Sequence, residues 1–164
     1  MPTGSPILQS GAVTPNHLAA FVTDGVVADA GVAFAQSFGI LATTVLNINF
    51  NAANVDNVIP IPLPLGYTRY RISGIHIAGA SGTLTTATCG VFTAVSGGGL
   101  AVVTGGTALT INTSVADTNN NAQSLTVVNQ NTLALSDPVL YFRLQNAQGS
   151  AATANLTLFY QPLP

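Results

Sequence analysis

The chain of 164 residues carries a formal net charge of −2, 5% charged residues and a mean hydropathy of +0.48. It has no lysine, glutamate or tryptophan; its charged side chains are Arg69, Arg71, Arg143, Asp24, Asp29, Asp56, Asp117 and Asp137. Three arginines cannot neutralise a phosphate track, which excludes nucleic acid as a partner, and a 48% hydrophobic content excludes a disordered polyelectrolyte.

An ordinary soluble domain holds roughly 25% charged residues, so most of this surface must be neutral and therefore adhesive. Without lysine the chain also lacks the usual device that keeps exposed sheet edges apart. The composition predicts an exterior covered by further copies of the chain or by a larger assembly. The length suits one domain with a real core and an appended arm. The single cysteine, Cys89, excludes an intrachain disulfide, and its setting Thr88-Cys89-Gly90-Val91-Phe92 predicts a small buried hydrophobe. The opening Met1-Pro2-Thr3-Gly4-Ser5-Pro6 has neither a basic nor an apolar leader region, so synthesis and assembly in a cytoplasm are expected. No apolar run approaches the length of a membrane helix, and no membrane partner is expected.

In chain order, residues 1–39 read as an N-terminal assembly arm and 40–164 as the body. Within the arm, Leu18 to Val22 and Val26 to Ala28 flank Thr23-Asp24-Gly25, a strong hairpin signal. Asp29 then reads as the cap of a short helical turn in which Phe34 and Phe38 stack at i and i+4 before Gly39 ends it. A lone two-stranded hairpin is marginal in water. Its apolar face must be buried against the body, against sister arms or against another protein.

The body alternates short apolar-patterned runs with turn residues. Val45-Leu46-Asn47-Ile48-Asn49-Phe50 predicts a strand with Leu46, Ile48 and Phe50 on its buried face. Ile59-Pro60-Ile61-Pro62-Leu63-Pro64-Leu65 cannot be a central strand, because its prolines remove ladder donors, and reads as a stiff edge or crossing segment. Further strands are predicted from Tyr67 to Ile77, Thr88 to Val95, Leu100 to Thr104, Thr107 to Ile111, Ser124 to Val128, Val139 to Leu144 and Asn155 to Tyr160. Breaks are expected at Gly79 to Gly82, Gly97 to Gly99, Gly105-Gly106, Asp117 to Asn121 and Asp137-Pro138, and the last strand is expected to stop at Gln161-Pro162-Leu163-Pro164. The pattern predicts an all-β fold, a jelly-roll-like antiparallel β-sandwich of about eight strands with an extended N-terminal arm.

Candidate chemistry is sparse. His17 lies in the arm and His76 alternates with Ile75 and Ile77, a pattern that predicts a histidine hydrogen-bonded at a sheet or subunit contact. Two histidines and five aspartates without close ligand spacing do not make a zinc site, and turn formation accounts for the oxygen-rich Asp117 to Asn121 loop better than calcium does. No Gly-x-Ser-x-Gly elbow and no Gly-Lys-Ser or Gly-Lys-Thr phosphate loop is present, so neither enzymatic activity nor a cofactor is expected. Arg69 and Arg71 share one face of a predicted strand, with Tyr70 and Ile72 on the other. In a chain with three cations, that pair beside tyrosines predicts a contact to a carboxylate or carbonyl of a neighbouring subunit.

The segment from Ser10 to Gly31, Ser-Gly-Ala-Val-Thr-Pro-Asn-His-Leu-Ala-Ala-Phe-Val-Thr-Asp-Gly-Val-Val-Ala-Asp-Ala-Gly, resembles a stretch that recurs in tailed-bacteriophage structural proteins. Those versions read Val-Thr-Pro-Gly-His, an apolar run ending in tryptophan or a similar residue, Thr-Asp-Gly-Val, then aspartate with glycine close behind. Here Asn16 replaces the glycine and Phe21 stands where tryptophan is frequent. The match spans about an eighth of the chain, and the rest is similar in general character to the jelly-roll domains of capsid decoration (cement) proteins and of head or tail fibres. The resemblance implies a non-enzymatic homotrimer on a virion, assembled in a bacterial cytoplasm, that binds the major capsid protein or another virion protein and stabilises the shell. The alternative it implies is a fibre or receptor-binding tip that recognises a host glycan. The chain lacks the repetitive shaft of a reaching fibre, which favours decoration. The assembly contacts expected on these grounds are His17, Phe21, Asp24, Gly25, Phe34 and Phe38 in the arm and Arg69 and Arg71 in the body.

Overall fold

The computed structural model describes residues 8–9, 17–23, 26–33, 39–114, 121–128 and 134–163, with the backbone alone described before residue 39. In the arm, β1 (Leu8–Gln9), β2 (His17–Thr23) and β3 (Val26–Ala33) form a three-stranded sheet of order β1-β3-β2. Thr23 pairs with Val26, so the predicted hairpin is present, while Asp24 and Gly25 of its connection lie outside the described residues. Asp29 caps no helix. It sits within β3, paired with Ala19, because Val26, Val27 and Val32 favour an extended ribbon and β2 supplies the hydrogen bonds a helical turn would have supplied. Phe34 and Phe38 lie outside the described residues.

The body is an antiparallel β-sandwich of eight strands: β4 (Leu41–Asn49), β5 (Asp56–Pro60), β6 (Arg69–Ala78), β7 (Thr88–Phe92), β8 (Ala101–Ala108), β9 (Ala122–Leu125), β10 (Val139–Asn146) and β11 (Thr153–Leu163). One sheet has the order β4-β11-β6-β9 and the other β5-β10-β7-β8. The pairs are nested: first strand with last, second with seventh, third with sixth and fourth with fifth. That is the pairing of one long antiparallel ribbon folded over itself. The predicted segment from Ile59 to Leu65 behaves as its prolines require: β5 is an edge strand, and the chain then crosses to the opposite sheet.

Alternation builds the core. On β11, Ala154, Leu156, Leu158 and Tyr160 point inward, and on β10 Leu140, Phe142 and Leu144 meet them from the opposite sheet. The alternation is reset at bulges. Val45 pairs with Leu156 and Ile48 with Ala154, so Leu46 and Asn47 together oppose Asn155. Asn47 adopts φ 53° there, and its N–H donates to Asn155 Oδ1 at 2.9 Å. This turns Leu46 outward, 65% exposed, against the expectation that it shares the buried face of Ile48 and Phe50. On β6, Ile72 pairs with Tyr160 and Gly74 with Phe159, leaving Ser73 as the extra residue.

Gly105-Gly106 is likewise no break. β8 runs through it as a bulge opposite Gly90, so the two strands expected there are one, and Leu109 to Ile111 form an irregular return instead. The last strand continues past its expected stop to Leu163. Beyond Tyr160, β11 is paired to β6 alone, so Pro162 can leave its missing donor on the open side.

Two buried tyrosines fasten the end where the chain changes sheets. Tyr70 and Tyr160 meet edge to face at 5.9 Å. The Tyr70 hydroxyl donates to the Asp137 carbonyl at 2.9 Å and the Tyr160 hydroxyl to the Pro62 carbonyl at 2.7 Å. Tyr70→Phe and Tyr160→Phe are each expected to lower unfolding free energy by about 1 to 2 kcal/mol, through a partly buried carbonyl left unpaired. Chemical denaturation with unchanged m-value checks this.

Candidate functional site

The two outer sheet faces differ. On the β5-β10-β7-β8 sheet, the side chain of Phe92 lies over Gly90, where an added Cβ would come within 2.7 Å of the ring. The turn at Val95–Gly97 folds over the same face, with Gly97 beside both Phe92 and Arg143. Arg143 Nη1 donates to Asp56 Oδ1 at 2.9 Å and Nη2 to Asn54 Oδ1 at 3.1 Å, while Ser96 N–H donates to Asp56 Oδ2 at 2.8 Å. Gly106 N–H completes the covering by donating to Gln145 Oε1. Aromatic ring, ion pair and turn thus cover the middle of this face from within the chain, while Val58 and Val95 stay exposed beside them.

Among the described residues, no turn or ion pair of this kind covers the outer face of the β4-β11-β6-β9 sheet. Its central row is Thr44, Thr157, His76 and Ser124, one residue from each strand. Thr44 Oγ1 and Thr157 Oγ1 are 3.1 Å apart, and His76 Nδ1 lies 3.3 Å from Ser124 Oγ. The adjacent row is Ala42, Phe159 and Gly74. Phe159 meets the imidazole of His76 edge to face at 5.3 Å. Ile40, 63% exposed, joins Ser73, Gly74, His76 and Phe159 around a shallow, mainly apolar hollow of about 280 Å³. At Gly74 an added Cβ would stand 3.3 Å from His76 Nε2, a tight approach that the imidazole would have to relieve by shifting.

Arg69 and Arg71 occupy the same outer stripe, two exposed positions at the end of β6 opposite Leu163 and Gln161. Tyr70 and Ile72 are buried on the other side, as the alternation predicted. Among the described residues the ion pair formed is Arg143 with Asp56, and neither Arg69 nor Arg71 has a carboxylate partner. Of the expected arm contacts, His17 and Phe21 lie in β2, opposite Ala33 and Val27, in a sheet that shares no strand with the sandwich, and Asp24, Gly25, Phe34 and Phe38 lie outside the described residues.

The sequence reading missed the Phe159 hollow and the Arg143 network. Both join residues far apart in the chain, 87 positions for Arg143 and Asp56, and only strand register brings them together. The outward phase of Arg143 in Val139 to Leu144 was a usable signal that it sits on a face. Of the four tyrosines, Tyr67, Tyr70 and Tyr160 are buried and Tyr141 is half-buried, so they offer no exposed aromatic platform.

For chemistry, His76 and Ser124 are the one histidine–serine contact among the described residues. Nucleophile activation needs a group that orients the base from its other side, and the other partner of this imidazole is the Phe159 ring. No three histidine, cysteine, aspartate or glutamate side chains cluster as a metal site among the described residues. Cys89 is buried on β7, between β10 and β8 in the sheet, and burial pushes its thiol up to about 12, so it is protonated at neutral pH and unreactive. No protein-family model and no curated protein matches the chain.

Burial pushes the Asp56 carboxyl up, but the Ser96 N–H and the Arg143 guanidinium outweigh it and hold it below its ordinary value of 3.8. A carboxylate depressed on folding adds stability that is full above the unfolded value and is lost as pH falls through the folded one. Stability is therefore expected to decline from about pH 4 downward, and Asp56→Asn to flatten that limb while lowering stability at pH 7 by about 1 to 3 kcal/mol. Thermal unfolding across pH checks both. Cys89 is expected to resist a thiol reagent in the native protein and to react at full rate once unfolded.

Proposed function

We propose that the chain is a non-enzymatic structural protein of a bacteriophage virion, a homotrimeric decoration protein that binds the major capsid protein and stabilises the head shell. The observation that carries this reading is the bare outer face of the β4-β11-β6-β9 sheet. Its central rows are Thr44, Thr157, His76 and Ser124 and Ala42, Phe159 and Gly74, with Ile40 and Leu46 exposed on its margin and no lysine or glutamate in the whole chain. A protein that lived alone would carry more charge there than the two arginines at one end of β6. A protein that lives against neighbours needs close-packing, neutral side chains. The phage-like segment from Ser10 to Gly31 supplies the kind of assembly, since it resembles a pattern of virion proteins.

A second reading, a head or tail fibre tip recognising a host glycan, draws on the hollow beside Phe159. Sugars stack on an aromatic ring flanked by hydrogen-bonding groups, and Ser73 and His76 stand at that ring. A glycan array with the full chain separates this reading from decoration.

Quantitative mass spectrometry of purified particles tests the proposal, with non-tryptic cleavage because the chain has three arginines and no lysine. About one copy per major capsid subunit is expected for a shell-covering protein. A few copies per particle would favour the fibre, and complete absence would overturn the virion reading.

A further inference from the structure

Of the nine prolines in the chain, Pro138 is the one that follows an aspartate, and the Asp137–Pro138 peptide bond lies just ahead of β10. An aspartate carboxylate can reach the carbonyl carbon of its own residue by closing a five-membered ring, so nucleophile and electrophile are already tethered. Proline supplies a leaving nitrogen with two alkyl substituents and no N–H, which becomes a more basic amine than another residue would give. The bond is therefore intrinsically open to attack from within.

The fold adds three features to it. The Asp137 carbonyl oxygen accepts the Tyr70 hydroxyl at 2.9 Å, from a tyrosine that is 0% exposed and packed edge to face on Tyr160. Addition to that carbonyl turns its oxygen into an oxyanion, and a donor fixed in a low-dielectric setting stabilises charge there better than water does. Burial and the neighbouring Asp137 carboxylate both push the Tyr70 phenol up, so it remains a donor at neutral and acid pH. Both flanks of the bond are also tied. Tyr70 and Leu135 exchange N–H donors at 2.9 Å, and Ile61 N–H donates to the Pro138 carbonyl at 2.9 Å, which holds the peptide against the phenol. Finally, Pro138 is exposed and Asp137 half-buried, so solvent can deliver a proton to the nitrogen and water to the carbonyl carbon.

We propose that Asp137–Pro138 is a self-cleavage site promoted by the fold, with the Tyr70 phenol as oxyanion donor. A carboxylate oxygen of Asp137 bonds to the Asp137 carbonyl carbon. The C–N bond breaks, its electron pair stays on the Pro138 nitrogen, which takes a proton from solvent, and a cyclic anhydride remains on Asp137. One water opens the anhydride, leaving two carboxyl groups on that residue; nothing is oxidised or reduced. The event happens once per chain and does not depend on the virion reading. The pieces stay together, because residues 138–164 form β10 and β11, and these lie between β5 and β7 and between β4 and β6. Cleavage would thus leave the sandwich assembled and be visible only after unfolding.

The test is intact-mass measurement of the full chain incubated at about pH 5, above the limb on which Asp56 protonates, in buffer and in denaturing guanidinium chloride. Fragments 1–137 and 138–164, together heavier than the chain by one water, are expected to form about tenfold or more faster in buffer than in denaturant. Tyr70→Phe is expected to bring the rate in buffer down to the denatured rate and leave the denatured rate unchanged. Tyr160→Phe, which removes a comparable hydroxyl bonded to the Pro62 carbonyl, is expected to cleave as the parent does. Asp137→Glu keeps the charge and the carbonyl but needs a six-membered ring, and is expected to slow cleavage in both solvents about tenfold or more. Circular dichroism reports that each variant is folded at the start. A chain that stays whole in buffer, or that cleaves no faster there than in denaturant, overturns the inference. A folded Tyr70→Phe chain that cleaves at the parental rate, or a Tyr160→Phe chain slowed as much as Tyr70→Phe, also overturns it. Where Tyr70→Phe does not fold, the parental ratio between the two solvents and the Asp137→Glu rate decide.

Discussion

The pairing of β6 with β11 is the contact on which the other strands depend. It sets Ile72 beside Tyr160, Ile75 beside Leu158 and Ile77 beside Leu156, all buried, and β4 and β9 hang from its two outer sides. Its two tyrosines reach past the sheet to carbonyls of the proline-rich crossing and of the approach to β10. The same register that fills the core also lines up Thr157 with His76 and Phe159 with Gly74 on the outside. Core and surface are therefore one geometric decision. A slip of one residue in this pairing would bury the hydroxyls and expose the leucines.

Much of this was readable from the residue pattern. Strand existence followed from alternation and turn chemistry, the hairpin from Asp-Gly between apolar runs, and the edge position of Ile59 from the prolines around it. The Arg69 and Arg71 stripe also followed, because Tyr70 and Ile72 define the opposite phase. What the pattern could not supply were the places where phase changes. Leu46 reads as buried until Asn155 claims two residues of β4 at once, and Gly105-Gly106 reads as a turn until Gly90 leaves room for a bulge in mid-strand. Bulges are made by the partner strand, so a single segment does not announce them. The hollow was hidden for the same reason: Ile40, Ser73 and Phe159 meet through register alone. Asp29 failed differently, since a capping residue followed by two phenylalanines is a fair helix start until β2 offers a ladder.

The two sheet faces show two ways of finishing a neutral protein. One is closed by its own turn, with Phe92 laid across glycines and the Asp56–Arg143 pair holding the turn in place. The other is left open, with neutral central rows and Arg69 and Arg71 at one end of β6. The chain spends one of its three cations on the first and keeps two at the margin of the second. Charges orient a contact, whereas its area comes from neutral atoms.

The residues of the bare face also decide how much motion is lost when it is covered. Alanine and glycine have no rotamers to freeze, and threonine and serine have few, whereas each lysine or glutamate immobilised at an interface forfeits as much as about 2 kcal/mol of side-chain entropy. Ala42, Thr44, Gly74, Ser124 and Thr157 are already ordered before any neighbour arrives. Docking on this sheet would fix little that was moving.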